Sequence, residues 1–295
     1  MKRFFAIMLC LGILLGMTAC SGGQTKPTEP SDTAPSSEPE ESKGIVFPSA
    51  PSVGLEYEVN DDGITCTITG LGNCTDTILV IGEEIDGYQV VAIGEYAFYR
   101  CKELQGIQLC DSITSIQRFA FYECTSLEEA VLSGSLVAIE QYAFAFCSKL
   151  KSVAFPDTLE RVAGWAYYYC PSLEGVYLSD MDFWFHVQFE GIYANPLRYA
   201  ADLYVNEELL TEVVIPEDVT EIGDWLFESC MSIEHLVIHE NVTSIGERAF
   251  RACKNLTVID YSGTKDSWKL IAKDSYWNIS MANHVINCTD GMIKE

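Results

Sequence analysis

The chain is 295 residues long and 48% apolar, enough to bury one or two ordinary cores. It carries 43 acidic residues against 18 lysines and arginines, a formal charge of −25. Such a surface repels phosphate backbones and anionic headgroups, which excludes nucleic acid and basic-patch membrane docking as functions, and four histidines leave little material for a multi-histidine metal site.

The N-terminus opens with Lys2-Arg3 and an apolar run over residues 4–16, the length of a secretory h-region and too short for a comfortable membrane span. Met17-Thr18-Ala19-Cys20 follows and resembles the bacterial lipobox. That resemblance implies a signal peptide over 1–20 and a diacylglycerol on the thiol of Cys20. Met17 departs from the usual leucine. The plainer alternative is an ordinary signal peptide cut nearby, leaving a secreted protein. Residues 21–54 hold six of the ten prolines, among Ser, Thr, Glu and Gly. So little apolar material cannot offset the cost of ordering the chain, which predicts a disordered, part-extended tether.

Internal repeats decide the fold. Cysteines recur every 23 residues at 101, 124, 147 and 170, and again at 230 and 253. Ile93-Gly94-Glu95-Tyr96-Ala97-Phe98 precedes Cys101, and near-copies end at Phe121, Phe144, Tyr167, Phe227 and Phe250. Three residues after each cysteine stands Leu104, Leu127, Leu150, Leu173, Ile233 or Leu256. The text then reads L-x-x-I-x-L, as in Leu104, Ile107 and Leu109, whose last two apolar positions have the period of a strand with one buried face. A second short segment closes each unit, as in residues 113–116 and 242–245. Ala97, Phe98 and Cys101 fall at the spacing of one helical or 3-10 turn. A unit of this size cannot close a core alone, but stacked units can.

The pattern I-G-x-x-A-F-x-x-C-x-x-L-x-x-I-x-L-P resembles the BspA-type leucine-rich-repeat surface proteins of bacteria. Pro156 and Pro216 match its terminal proline, and Cys110, Ser133, Ser179 and His239 replace it elsewhere. The resemblance covers residues 55–295 and implies a mainly β repeat solenoid: an N-terminal cap over 55–92, repeats over 93–178, an insertion over 179–209, repeats over 210–261 and a C-terminal cap over 262–295. Main strands are expected from Leu104 to Tyr261. The inserted Asp182-Phe183-Trp184 and the later Asp266-Ser267-Trp268 predict two short helices, each packing a tryptophan onto the stack.

Several constellations carry a sharp and a plain reading. The cysteine ladder reads as a column of buried thiols behaving as small apolar residues, since stacked rungs spread ligands too widely for a metal and rarely offer disulfide geometry. Cys66 and Cys74 lie off the ladder, and a bridge between them stays open. His235 and His239 have a zinc-like spacing but flank a strand, with no third ligand marked. No G-x-S-x-G, P-loop or C-x-x-C appears, so the reading is non-enzymatic, without metal or cofactor.

Two columns are candidates for binding. The outward residues of the main strands are Gln108, Val131, Ala154, Tyr177, Val214, Val237 and Asp260. Of these, Val131, Tyr177 and Val237 are taken as the site. The second column is Tyr96, Phe119, Tyr142, Trp165 and Trp225, then Arg248, with Tyr99, Tyr122 and Tyr168 three residues on. It forms either an exposed ridge or packing between rungs. The resemblance implies adhesion to host, matrix or neighbouring-cell macromolecules, with an extracellular protein or glycan as partner and the lipid as the one link to a membrane. The alternatives are a glycan-capture module and a structural spacer; the first needs exposed rings with polar edges, the second neither surface.

Overall fold

A computed structural model describes residues 44–191 and 193–294. The expected signal peptide, Cys20 and most of the expected tether lie outside them. The end of the tether lies against the cap, where Ser52 N donates to Val80 O at 2.8 Å.

The chain winds as a mainly β solenoid. One ladder of parallel strands takes the L-x-x-I-x-L segments, and a second, of two- to six-residue strands, takes the closing segments. The main ladder runs through Ile78–Val80, Gly106–Gln108 and Glu129–Val131, then Ser152–Phe155, Gly175–Leu178 and Leu203–Val205. It resumes with Glu212–Val214, His235–Ile238, Val258–Tyr261 and Val285–Cys288. Alternation sets the faces: in His235–Ile238, Leu236 and Ile238 are buried and His235 and Val237 half-buried. The ladder therefore extends beyond Leu104–Tyr261 at both ends, through Ile78–Val80 of the N-terminal cap and Val285–Cys288 of the closing segment, and the insertion adds a strand within that range.

Between the ladders each rung turns tightly. Tyr99 N donates to Tyr96 O and Cys101 N to Phe98 O, i→i−3 bonds of the 3-10 kind. The alternate amides Tyr96, Phe98 and Arg100 donate instead to Arg118, Ala120 and Tyr122 of the next rung. This alternation needs left-handed backbone twice per rung. In the first rung it falls at Tyr96 (φ 59°) and Arg100 (φ 60°), and it recurs at the equivalent pairs through Arg248 and Ala252.

The insertion is itself a rung. Leu203–Val205 pairs in parallel with Gly175–Leu178, placing Tyr204 beside Tyr177, and Gln188–Glu190 pairs with Arg161–Ala163. The 3-10 helix Asp182–His186 buries Trp184, and the helix Lys265–Leu270, held by a Thr264–Ser267 capping box, buries Trp268. The main-ladder sheet that begins at Ser152–Phe155 stops here: Glu208–Leu209 folds back antiparallel on Leu203–Val205, and Glu212–Val214 begins a new sheet. Antiparallel strands close the ends, Glu56–Val59 on Thr65–Gly70 and Gly291–Lys294 on Val285–Cys288.

Candidate functional site

The six rungs that carry a ladder cysteine share one interior. Phe98, Phe121, Phe144 and Tyr167 stack at 5.0–5.4 Å, as Phe227 and Phe250 do at 5.3 Å, all fully or almost fully buried. The ladder cysteines stand beside them. Four of the six do more than fill space: Cys124, Cys147, Cys170 and Cys253 donate Sγ–H to the carbonyls of Phe98, Phe121, Phe144 and Phe227 at 3.1–3.2 Å. The column is thus a hydrogen-bonded seam between rungs rather than a purely apolar one. Burial raises the thiols, Cys170 to about 12 and Cys230 to about 11. Cys101, at the head of the ladder, is half-buried, and Cys66 and Cys74 are free thiols.

The ring column forms a row of mutually packed side chains. Tyr96 stacks on Phe119 at 5.0 Å, Phe119 on Tyr142 at 4.9 Å and Tyr142 on Trp165 at 5.9 Å. A second row meets it edge-on through Tyr99, Tyr122 and Tyr168 at 5.1–5.4 Å. Tyr96 is 47% exposed, whereas Phe119, Tyr142 and Trp165 are half-buried. Arg118 lies over Phe119 at 4.8 Å and Arg198 over Tyr193 at 4.4 Å. The row continues to Tyr193 and Tyr199, residues absent from the repeat reading, although Tyr193-Ala194 echoes Trp165-Ala166 one longer rung earlier. Trp225 is not part of it: among the described residues no ring pair joins it to the row, and its indole N–H is buried without a hydrogen-bond partner.

Beyond the inserted rung the second ring row is replaced by charge. Glu228, two residues before its cysteine as Tyr99 is before Cys101, is 2% exposed. Its Oε1 accepts from Arg198 and Arg251, both at 2.7 Å. Asn195 Nδ2 donates to the carbonyls of Trp225 and Leu226 at 3.1 and 2.9 Å, joining the inserted rung to the next.

The outward column of the main ladder is a separate surface. Val131 and Val237 are half-buried, Ala154 is exposed and Val214 is 55% exposed. Tyr177 stacks on Tyr204 at 4.8 Å. Both rings lie across Gly175, where a Cβ would stand 2.9 Å from the Tyr204 ring and 3.0 Å from that of Tyr177. Further along, His235 Nδ1 meets Glu212 at 2.8 Å and Nε2 meets Asp260 at 2.9 Å, while Asn287 donates to the other Asp260 oxygen at 2.7 Å. Both carboxylates only accept, so the protonated ring alone satisfies both contacts. Burial opposes that charge, but the hydrogen bonds to Glu212 and Asp260 prevail and raise the His235 pKa. His239 faces the Pro216 carbonyl at 2.7 Å instead, so the zinc-like spacing serves two unrelated structural contacts. No group of metal-ligating side chains converges among the described residues.

Comparison with known proteins agrees with this geometry. The model of the BspA type leucine rich repeat region matches residues 84–184 and 202–293 in six copies, leaving out part of the inserted rung. Among solved structures, the chain is similar to the T. pallidum leucine rich repeat protein, at 24% identity over 71% of this chain and 80% of that one, with a TM-score of 0.43. A leucine-rich repeat protein from Bacteroides capillosus is 31% identical over 43% of this chain and 95% of that one, TM-score 0.39. A leucine rich cell surface protein from Faecalibacterium prausnitzii is 17% identical over 79% and 99%, TM-score 0.34. No curated protein matches the chain. With the 23-residue rungs, the buried Phe and Cys columns and the family model agreeing across both arrays, the chain belongs to the BspA-type leucine-rich-repeat family.

Proposed function

We propose that this protein is displayed on a bacterial surface, tethered by a lipid on Cys20, and uses its solenoid to bind an extracellular protein in adhesion to host, matrix or neighbouring cells. The lipobox-like Met17-Thr18-Ala19-Cys20 and the proline-rich segment behind it support display. It acts as a scaffold rather than an enzyme, as repeat proteins of this type do.

The carrying observation is the outward positions of the main ladder, where Ala154, Tyr177 and Tyr204 lie side by side on one sheet, Val214 and Val237 on the next and Val131 on the one before, all with apolar or aromatic side chains. The ring row favours a glycan less. A sugar needs an open ring face, and here each face is turned to the next ring, leaving edges to solvent.

The test is the mature chain against immobilised matrix proteins and glycans. Tyr177→Ala should weaken a protein ligand by ~1–3 kcal/mol, the range of interface hot spots. The pair Tyr142→Ala and Trp165→Ala should leave it unchanged once folding is confirmed. The opposite pattern, or binding to glycans alone, would move the site to the ring row.

A further inference from the structure

The last main-ladder sheet has an outer surface whose neighbours are set by strand register. It holds Glu212–Val214, His235–Ile238, Val258–Tyr261, Val285–Cys288 and the edge strand Gly291–Lys294. Val213, Leu236, Ile259 and Ile286 pair side by side and are buried, so the alternate residues line the outside. One outer row runs Glu212, His235, Val258 and Val285 across the strands. The next runs Val214, Val237, Asp260 and Asn287. The valines thus form two cross-strand pairs, Val214–Val237 and Val258–Val285, and the Glu212–His235–Asp260 bridge runs diagonally between them. Val214 is 55% exposed and the other valines half-buried. The side chains of Glu212 and Asp260 are 57% and 45% exposed, so a partner lying on the valines reaches both carboxylates.

The bridge holds only while the ring is charged. A neutral imidazole keeps one N–H, and its other nitrogen then turns a lone pair toward the second carboxylate. At that step the face becomes more negative and one carboxylate loses its ring donor. A carboxylate set among apolar side chains pairs strongly with a cation. The charged groups that face His235 are Glu212 from the strand on one side and Asp260 from the strand on the other. Lys294 lies three strands away, paired with Val285. Burial lowers the His235 pKa and the hydrogen bonds to Glu212 and Asp260 raise it, with a net rise, so the step falls above the ordinary histidine range.

We propose that this face docks a basic polypeptide segment, which lays apolar side chains on Val214, Val237 and Val258 and sets a lysine or arginine on the carboxylate, Glu212 or Asp260, that His235 releases when it loses its proton. At low pH the ring occupies both carboxylates itself, so docking strengthens as pH rises and is reversed by acid. The proposal rests on the protein-binding reading and adds to it a second contact surface, a partner chemistry and a control.

The experiment titrates the mature chain with a synthetic peptide alternating lysine and valine, at about pH 5.5 and about pH 8.5, an interval in which lysines stay charged and histidines do not. The peptide should bind about fivefold more tightly at the higher pH. His235→Gln keeps one amide donor for one carboxylate at every pH, so it should bind alike at both, at the wild type's alkaline level. Because the other histidines remain in that variant, a pH response that persists in it would assign the effect elsewhere and overturn the proposal. Val214→Ser removes an exposed side chain, and should weaken binding about threefold at both pH values with melting unchanged. Serine for valine in the peptide should weaken it about fivefold or more, and glutamate for lysine should abolish binding. Equal wild-type affinity at the two pH values, or equal binding by the serine peptide or by Val214→Ser, would overturn the site and leave only general attraction to an acidic surface. A matrix protein held through Tyr177 that ignores both pH and His235→Gln defeats this face and keeps the broader function. A panel with no ligand defeats the broader function, while the peptide series still decides the face.

Discussion

The arrays on either side of the inserted rung share a backbone and an interior but not a flank. Residues 93–178 line their turns with Tyr96, Phe119, Tyr142 and Trp165 in one row and Tyr99, Tyr122 and Tyr168 in a second. Residues 210–261 put Glu228 and Arg251 at the positions of Tyr99 and Tyr122, joined at 2.7 Å, and Arg248 where a ring stood. Their outward sheet face also carries the Glu212–His235–Asp260 bridge, where the first array has Val131 and Ala154 nearby. The interior columns meet identical neighbours above and below, so one side chain suits every rung. Flank positions meet only each other, and a stack of rings or a chain of charges satisfies them equally well.

That contrast can be broken most strongly from inside. Phe121→Ala and Phe250→Ala should each cost ~3–5 kcal/mol, since both rings are fully buried. Similar losses in denaturant melts would confirm a common interior, whereas a large difference would refute it. Next comes the charged flank. Glu228→Ala strands Arg198 and Arg251, both partly exposed, and should cost ~2–3 kcal/mol. Tyr99→Ala, the equivalent change in the ring flank, should cost less, because Tyr99 is 37% exposed.

The thiol seam gives a smaller effect. Cys124→Ser keeps a donor for Phe98 O and should be milder than Cys124→Ala, both within ~2 kcal/mol. Cys124, Cys147 and Cys253 should resist alkylation until unfolding, and rapid native labelling would contradict their burial.

The smallest effect is in pH. His235 has a raised folded pKa, so its stabilisation is full below the unfolded value and is lost as pH rises through the folded one. Asp260 is lowered by Asn287 first and then by His235, so its share is present above the unfolded carboxylate range and lost as pH falls through the folded value. Melting temperature should therefore fall modestly as pH rises above the ordinary histidine range near ~6.5. His235→Gln should remove that slope, and an unchanged slope would show that the bridge does not titrate there.

The repeating half of this architecture was legible because its signal is local and redundant. Phe98, Cys101, Leu104 and Ile107 recur at one spacing, and any one copy can be read from the others. The inserted rung was not, since it has no ladder cysteine and Tyr177 to Tyr204 is a longer step than the rest. Tyr193 and Tyr204 therefore joined their ring stacks unannounced. The left-handed backbone at Tyr96 and Phe119 was hidden too, because large side chains there suggest ordinary φ. Glu228 with Arg198 and Arg251 depends on residues about thirty and twenty-three positions away, a pairing that one-dimensional text does not mark.

The Cys124-to-Phe98 bond recurs at each step between the cysteine-bearing rungs of the first array, and that regularity bears on how such genes change length. A rung removed whole presents the same thiol, the same carbonyl and the same ring to its new neighbour, so unequal exchange between units can lengthen or shorten the array without inventing an interface. The inserted rung has no such freedom. Asn195 and Arg198 reach residues 30 positions on, and a unit gained or lost between them would part Arg198 from its buried carboxylate. Length variation should thus be confined to residues 93–178 and 210–261, with the joint between them inherited as a single piece.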